Sequence, residues 1–162
     1  MKHTEIDMSE GAGIRTGVDV MAVNPANEVL LGLHRKAGQE VWGFPGGHQK
    51  TGEKVLETAQ RELTEELGPD HGIVTLSEVV AVRETLLPPS FVPHITVILL
   101  GHWTSGTIVR NEPDKVLEWR WWPLEELPTH LYAGIGEILH NYQAKRTMVV
   151  TDWQQPPSSS NT

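Results

Sequence analysis

The sequence predicts a single α/β domain in which a mixed β-sheet lies between helices. Three observations carry this expectation. Valine- and isoleucine-rich runs of strand character stand on both sides of a strongly helical stretch, and a second amphipathic helical pattern follows near the C-terminus. The chain has 162 residues, enough for one sizeable core and too few for two ordinary domains. It contains no internal repeat.

Taken in order, residues 1–13 are polar and glycine-containing and are expected to form a flexible arm ahead of a domain spanning 14–150. Arg15 to Val23 alternates, Val29 to Leu33 is a second short apolar run, and Asn24-Pro25-Ala26-Asn27 reads as the turn of a hairpin between them. From Glu53 to Leu67 the pattern is helical, because Leu56, Ala59, Leu63 and Leu67 recur at three- and four-residue spacing and form a stripe to be buried. Thr51 is the expected N-cap. Gly68-Pro69 is the stop, since glycine accepts a positive φ and proline cannot continue the helix.

Val74 to Leu87 reads as one long strand with Val80 and Val82 on one face, followed by a proline-rich loop from Pro88 to Pro93 placed to influence substrate choice. His94 to Trp103 is the most apolar run. Its lack of strict alternation predicts burial on both faces and a central place in the sheet. Val116 to Trp122 is a further strand, with Trp119 and Trp121 on one face and Trp122 on the other. Core packing is the commoner fate of such indoles, and stacking on a nucleobase the rarer one. Pro123 to Pro128 predicts a short helical turn. Leu131, Ile135, Ile138, Leu139 and Tyr142 then predict a second amphipathic helix ending near Arg146. Beyond Val150 the QQPPSSSNT tail lacks apolar content to pack, and 151–162 is expected to be disordered.

Composition narrows the partners. The formal net charge is −8 and the pI near 5.4, so no general basic surface exists to hold a nucleic-acid polymer. With no cysteine, disulfides, thiolate catalysis and zinc–thiolate sites are excluded, and oxygen ligands remain. The N-terminus carries no apolar leader pattern and no segment is apolar enough to span a membrane, so the expected setting is soluble and cytoplasmic. The sequence leaves the oligomeric state open between monomer and homodimer.

Glu62, Glu65 and Glu66 are the anomaly. At ~100° per residue they share about a third of the helix circumference, beside the apolar stripe. Like charges at these spacings cost ~0.2–0.5 kcal/mol per pair, and acids in a last turn also face the negative end of the helix dipole. Either the acids form a solvated face, or a divalent cation turns their repulsion into ligation. The consecutive Gly46 and Gly47 just upstream either permit a positive-φ turn or let the main chain approach a ligand closely, and both can hold.

Gly47, Glu53, Arg61, Glu62, Leu63, Glu65, Glu66 and Gly68 together resemble the signature of the Nudix hydrolases. That signature runs Gly, five residues, Glu, seven residues, Arg-Glu, an aliphatic, any residue, Glu-Glu, any residue, Gly and an aliphatic. Only Pro69 departs, where an aliphatic residue is expected beyond the helix. The later WRWWPLEELP stretch is also similar to the C-terminal part of nucleotide-hydrolysing Nudix domains, so the resemblance covers most of residues 14–146.

The resemblance implies an α/β/α sandwich with a mixed sheet and Mg²⁺- or Mn²⁺-dependent hydrolysis of a nucleoside diphosphate linkage. The substrate it favours is a nucleoside triphosphate, cut to monophosphate and pyrophosphate as by MutT-type members. An ADP-ribose or nucleotide-sugar diphosphatase and a non-catalytic nucleotide-binding module are the alternatives. It further implies that Glu62, Glu65, Glu66 and the Gly46 carbonyl ligate metal and that Arg61 and Glu53 orient the acids. One of Glu62, Glu65 or Glu112 would deprotonate water. His48 and Arg35 are candidate substrate contacts, against the plainer readings of a surface histidine and a solvated charge in the His34-Arg35-Lys36 cluster. Glu112 is likewise weighed against a simple Glu-Pro turn.

Overall fold

The computed structural model describes residues 13–36, 38–86 and 92–153. Among them, an 8-stranded mixed sheet is built from β1 (Arg15–Val23), β2 (Glu28–Lys36), β3 (Gln39–Gly43), β4 (Gly46–His48), β5 (Ile73–Leu86), β6 (His94–Trp103), β7 (Val116–Pro123) and β8 (Met148–Trp153). Helices α1 (Val55–Leu67) and α2 (Ile135–Gln143) flank it. The main path runs β3-β2-β1-β6-β5-β8, with β4 paired to β1 and β7 to β2. The expected α/β/α arrangement is present.

Alternation along the strands separates two cores. Val18, Val20 and Ala22 of β1, Leu30 of β2 and Leu99 of β6 pack with Ala59, Leu63 and Leu67 of α1. Met21 and Val23, Val29 and Leu31, Ile98 and Leu100 turn the other way and pack with Ile135, Ile138 and Leu139 of α2. Burying a leucine such as Leu63 or Leu67 fully contributes about 1.5–3 kcal/mol, which fixes α1 against the sheet. β6 is interior, parallel to β1 from Arg15↔His94 to Val23↔His102 and antiparallel to β5, as its apolar run predicts. Trp119 and Trp121 pack toward the α1 core and Trp122 toward the other, also as expected.

Several expectations need correction. Lys54, not Thr51, is the N-cap, and the Glu57 carboxylate accepts its backbone N–H at 2.8 Å. Leu56 is 47% exposed, because the buried sector is centred nearer Glu66 and takes in Thr58, Glu62 and Glu66. The hairpin is confined to its turn, where Asn24 Oδ1 accepts the N–H groups of Ala26 and Glu28 and Val23 pairs with Val29. Beyond it β2 leaves β1 for β7 and β3, and β4 pairs with the N-terminal half of β1. Both β3 and β4 are too short for periodicity to announce.

Pro123 to Pro128 is a non-helical turn closed by Glu126 N–H on the Pro123 carbonyl, and α2 starts only at Ile135 while Leu131 bridges to Trp42. Residues 151–153, assigned above to the tail, complete β8 beside β5, because ladder bonds to Glu84, Thr85 and Leu86 satisfy a backbone that side-chain composition left uncommitted. The arm over 1–12, the rest of the tail from 154 and residues 87–91 of the proline-rich loop lie outside the described residues.

β5 contains a register shift between Val79, opposite Leu99, and Ala81, opposite Ile98. Val80 and Ala81 are therefore both buried on the α2 side, and Ala81, Arg83 and Thr85 follow on that face. Val82 stands opposite Val97 on the α1 side and does not share a face with Val80, contrary to the unbroken alternation expected.

Candidate active site

β4 brings the glycine pair against β1 with Asp19↔Gly46, Val18↔Gly47 and Gly17↔His48 in register. Space decides the residue type there. A Cβ on Gly47 would lie 2.6 Å from the Glu62 carboxyl carbon, and Gly46 has φ 147°, with a Cβ that would meet the Val18 carbonyl and the Asp19 backbone. Without side chains, β4 lets the α1 acids reach the sheet. The Glu66 carboxylate accepts the Gly46 N–H at 2.9 Å.

Arg61 organises the remaining acids. Its Nε and Nη2 donate to both oxygens of Glu53 at 2.6 and 3.0 Å, its Nη1 to Glu62 at 2.6 Å and Glu65 at 3.1 Å, and its Nη2 also to the His48 carbonyl at 3.0 Å. Glu53 is held further by the Lys50 N–H and the Thr58 hydroxyl. The Arg61 bond, aided by the Lys50 amide, brings the Glu53 carboxyl down to about 2. The orienting salt bridge expected between Arg61 and Glu53 is therefore formed, as a planar fork.

Glu66 shows the opposite electrostatics. It is buried, and desolvation pushes its pKa up to about 8 against the opposing Gly46 bond, with the charges of Glu62, Asp19 and Glu112 adding to the rise. Glu112 arrives from the loop between β6 and β7, docked by Asn111, whose amide donates to the Glu65 carbonyl at 2.8 Å and whose N–H donates to the Glu66 carbonyl at 3.1 Å. One Glu112 oxygen accepts Lys115 Nζ at 2.7 Å. The other is buried with no hydrogen-bond partner among the described residues.

Among the described residues no three acidic or histidine side chains converge as a ready-made cage, because Arg61 occupies Glu62 and Glu65. The donor chemistry nevertheless fits a hard divalent cation. All the candidate ligand groups are oxygens, and the buried Glu66 sits in an excess of negative charge that such an ion would relieve.

Cations rim the cleft over these acids: Arg35, Lys36, Lys50 and Lys115, with His34 and His48 between them. Arg35 is exposed and paired with Glu40 at 3.2 Å, and the His48 ring lies 5.4 Å from that of His94. Burial, with Lys36 nearby, lowers His34 to about 4, so it is neutral at pH 7. Trp42 is absent from the cleft and packs edge-on against Trp122 at 5.1 Å. Sequence reasoning missed Asp19 and Arg83, which pair at 2.7 Å, and also Thr85, Thr96 and His94 beside them. The signal was a charge interrupting each of two apolar strand segments, Asp19 within GVDVMAV and Arg83 at the end of VVAVR.

The fold and the acid cluster on α1 define a class of enzymes acting on phosphoric anhydrides, and comparison with known proteins agrees. The NUDIX domain model matches residues 13–142. The chain belongs to the Nudix hydrolase family, whose members act on pyrophosphate bonds. It is 30% identical over 129 residues to an RNA pyrophosphohydrolase of Roseobacter denitrificans, covering 70% of this chain and 79% of that protein. It is 38% identical over 65 residues to an RNA pyrophosphohydrolase of Legionella pneumophila strain Corby, covering 40% of this chain and only 36% of the relative. Among solved structures, a MutT NUDIX hydrolase from Burkholderia pseudomallei superposes with TM-score 0.68 at 27% identity, covering 78% of this chain and 96% of that one. A UDP-X diphosphatase with TM-score 0.66 at 19% identity, covering 89% of this chain and 70% of that one, shares the fold.

Proposed function

We propose that this chain is a divalent-metal-dependent diphosphatase of nucleoside triphosphates, yielding a nucleoside monophosphate and pyrophosphate. The observation that carries the reading is the acid cluster of α1 set at the floor of a cleft whose rim is cationic, which suits a metal-bound polyphosphate chain. Glu62, Glu65, Glu66 and the Gly46 carbonyl would hold the metal, which supplies charge neutralisation and polarisation of phosphorus when bound. Arg61 and Glu53 are positioning residues, since they act by fixing Glu62 and Glu65. Lys36, Lys50 and Lys115 would engage phosphate oxygens, with Arg35 and His48 at the margin.

Water attacks an internal phosphorus, a P–O bond forms, the bridging P–O bond between the α and β phosphates breaks so that nucleoside monophosphate and pyrophosphate separate, and the water proton passes to a carboxylate. Glu62, Glu65 and Glu112 are the candidates to take it, and Glu112 has one oxygen buried and unpaired among the described residues. Hydrolysis in ¹⁸O-water tests the reading. Monophosphate with pyrophosphate as primary products supports it, and labelled orthophosphate beside a nucleoside diphosphate overturns it. ADP-ribose and a 5′-triphosphorylated RNA oligomer assayed in parallel distinguish the other linkages that the relatives' names suggest, and faster turnover of either would displace the nucleoside triphosphate.

A further inference from the structure

A second cavity, of about 170 Å³, opens from the same glycine pair on the α2 side of the sheet. It shares His34, Lys36, Gly46, Gly47 and His48 with the cleft over the acids, so the two are continuous. Its floor is polar where a core would be expected. Arg83, opposite Thr96 in the β5–β6 ladder, is 6% exposed, and Thr85 and Thr96 are buried beside it.

Arg83 Nη2 donates to Asp19 at 2.7 Å and its guanidinium lies 5.2 Å from the Tyr132 ring, yet its Nε and Nη1 are buried with no hydrogen-bond partner among the described residues. Buried donors left unmade are costly, so this arrangement points to a ligand that completes them.

We infer that this cavity takes the base of the nucleotide and that Arg83 reads an exocyclic carbonyl oxygen on it. The enzyme then favours oxo bases (guanine, hypoxanthine, uracil, thymine) over amino bases (adenine, cytosine). A guanidinium donates and never accepts, so an amino group facing it would leave two buried donors opposed, whereas a carbonyl satisfies it. A second anion is disfavoured, because Asp19 already neutralises Arg83 and stands within electrostatic range of Glu66. The placement rests on the proposed nucleotide reading: phosphates over the α1 acids leave the other end of the molecule to enter this cavity.

Two substrate pairs that exchange oxo for amino with little change of shape decide the matter, ITP against ATP and UTP against CTP. The expected kcat/KM ratio favours the oxo member of each pair by about tenfold. In Arg83→Lys, which keeps the charge beside Asp19, and in Arg83→Gln, the preference should collapse toward unity with the loss concentrated in the oxo substrates. Equal wild-type ratios, or a preference that survives in a folded Arg83 variant, overturn the inference. Should neither variant fold, the wild-type ratios decide alone. Calorimetric binding of IMP against AMP to the wild type separates this inference from the catalytic reading. Tighter IMP binding without triphosphate turnover would retain Arg83 as the base reader and remove the hydrolytic assignment, whereas turnover with equal IMP and AMP binding would do the reverse.

Discussion

The two faces of the sheet treat buried charge in opposite ways. On the α1 side, Glu53, Glu62 and Glu65 are gathered by one arginine whose fork faces three carboxylates, and Glu66 is left crowded against Asp19 and Glu112. On the α2 side, Arg83 meets one carboxylate and keeps two nitrogens unpaired among the described residues. The first face carries surplus negative charge and suits a cation; the second carries surplus donors and suits a neutral acceptor. A buried ionic group is weak support for stability, since removing it from water costs several kcal/mol before any pairing is gained. Both imbalances are therefore better understood as preparation for a ligand than as struts of the fold.

The largest expected effect lies on the α1 face. Glu66→Gln should lower turnover by at least ~100-fold with the fold retained, because a charged ligand is lost and a near-isosteric side chain remains. Near-normal turnover in a folded, Mg²⁺-saturated variant would remove Glu66 from the metal site. Next, Arg61→Lys should reduce kcat by about 10–100-fold, since a point charge cannot reproduce a fork that spans Glu53, Glu62 and Glu65. Because Arg61 acts by positioning, KM should change less than kcat; an equal loss through KM alone would make it a substrate contact instead.

Within the α1 face, a pH experiment separates Glu66 from Glu53 by sign. The Glu66 carboxyl titrates near 4.5 in the unfolded chain and at about 8 in the folded one, so the folded state holds its proton more tightly. Stability from this group is fully present below pH 4.5 and is lost as pH rises toward 8. Glu53 acts in the opposite sense, but between its unfolded 4.5 and about 2, outside that window. Burial lowers His34 to about 4 and also lowers His71 and His94, so their contribution rises with pH up to their unfolded 6.5 and opposes Glu66 there. The melting temperature of the metal-free protein should therefore fall from pH 7 to pH 8, with a shallower fall in Glu66→Gln, and millimolar Mg²⁺ should raise it more at pH 8 than at pH 7. An identical slope in Glu66→Gln would assign the titration elsewhere. The smallest effect is expected at Leu56, which is 47% exposed: Leu56→Ala should change unfolding free energy by no more than ~0.5 kcal/mol in denaturant titration, whereas Leu63→Ala should cost about 2–5 kcal/mol.

The same contrast explains what could be read from the chain. The α1 acids, Arg61 and Glu53 lie within one helix and its approach, where spacing maps onto a face, so their clustering was legible before any coordinates. Strand β6 was legible because burial on both sides leaves an uninterrupted apolar run. Asp19 and Arg83 are 64 positions apart and meet because β6 pairs in parallel with β1 and antiparallel with β5, a relation that no local pattern records. Leu56 misled because four apolar residues at helical spacing do not say which sector the sheet will cover. The end of β8 was hidden because Thr151 and Asp152 ahead of a polar tail say little about a backbone that has a ladder to join.

The shifted register in β5 has a consequence for how such an enzyme changes over time. It works as the reading frame of that strand: with Ala81 opposite Ile98, Arg83 stands opposite Thr96 at the cavity floor. Absorbing the extra residue by sliding the downstream half one position would set Val82 opposite Thr96 and Glu84 opposite His94, since one step exchanges every side chain between faces. A donor-lined floor would become one bearing a valine and an acid, while α1, β4 and their carboxylates kept their places. Substrate preference can in this way be rewritten by a single insertion or deletion in a strand, leaving the hydrolytic apparatus as it was.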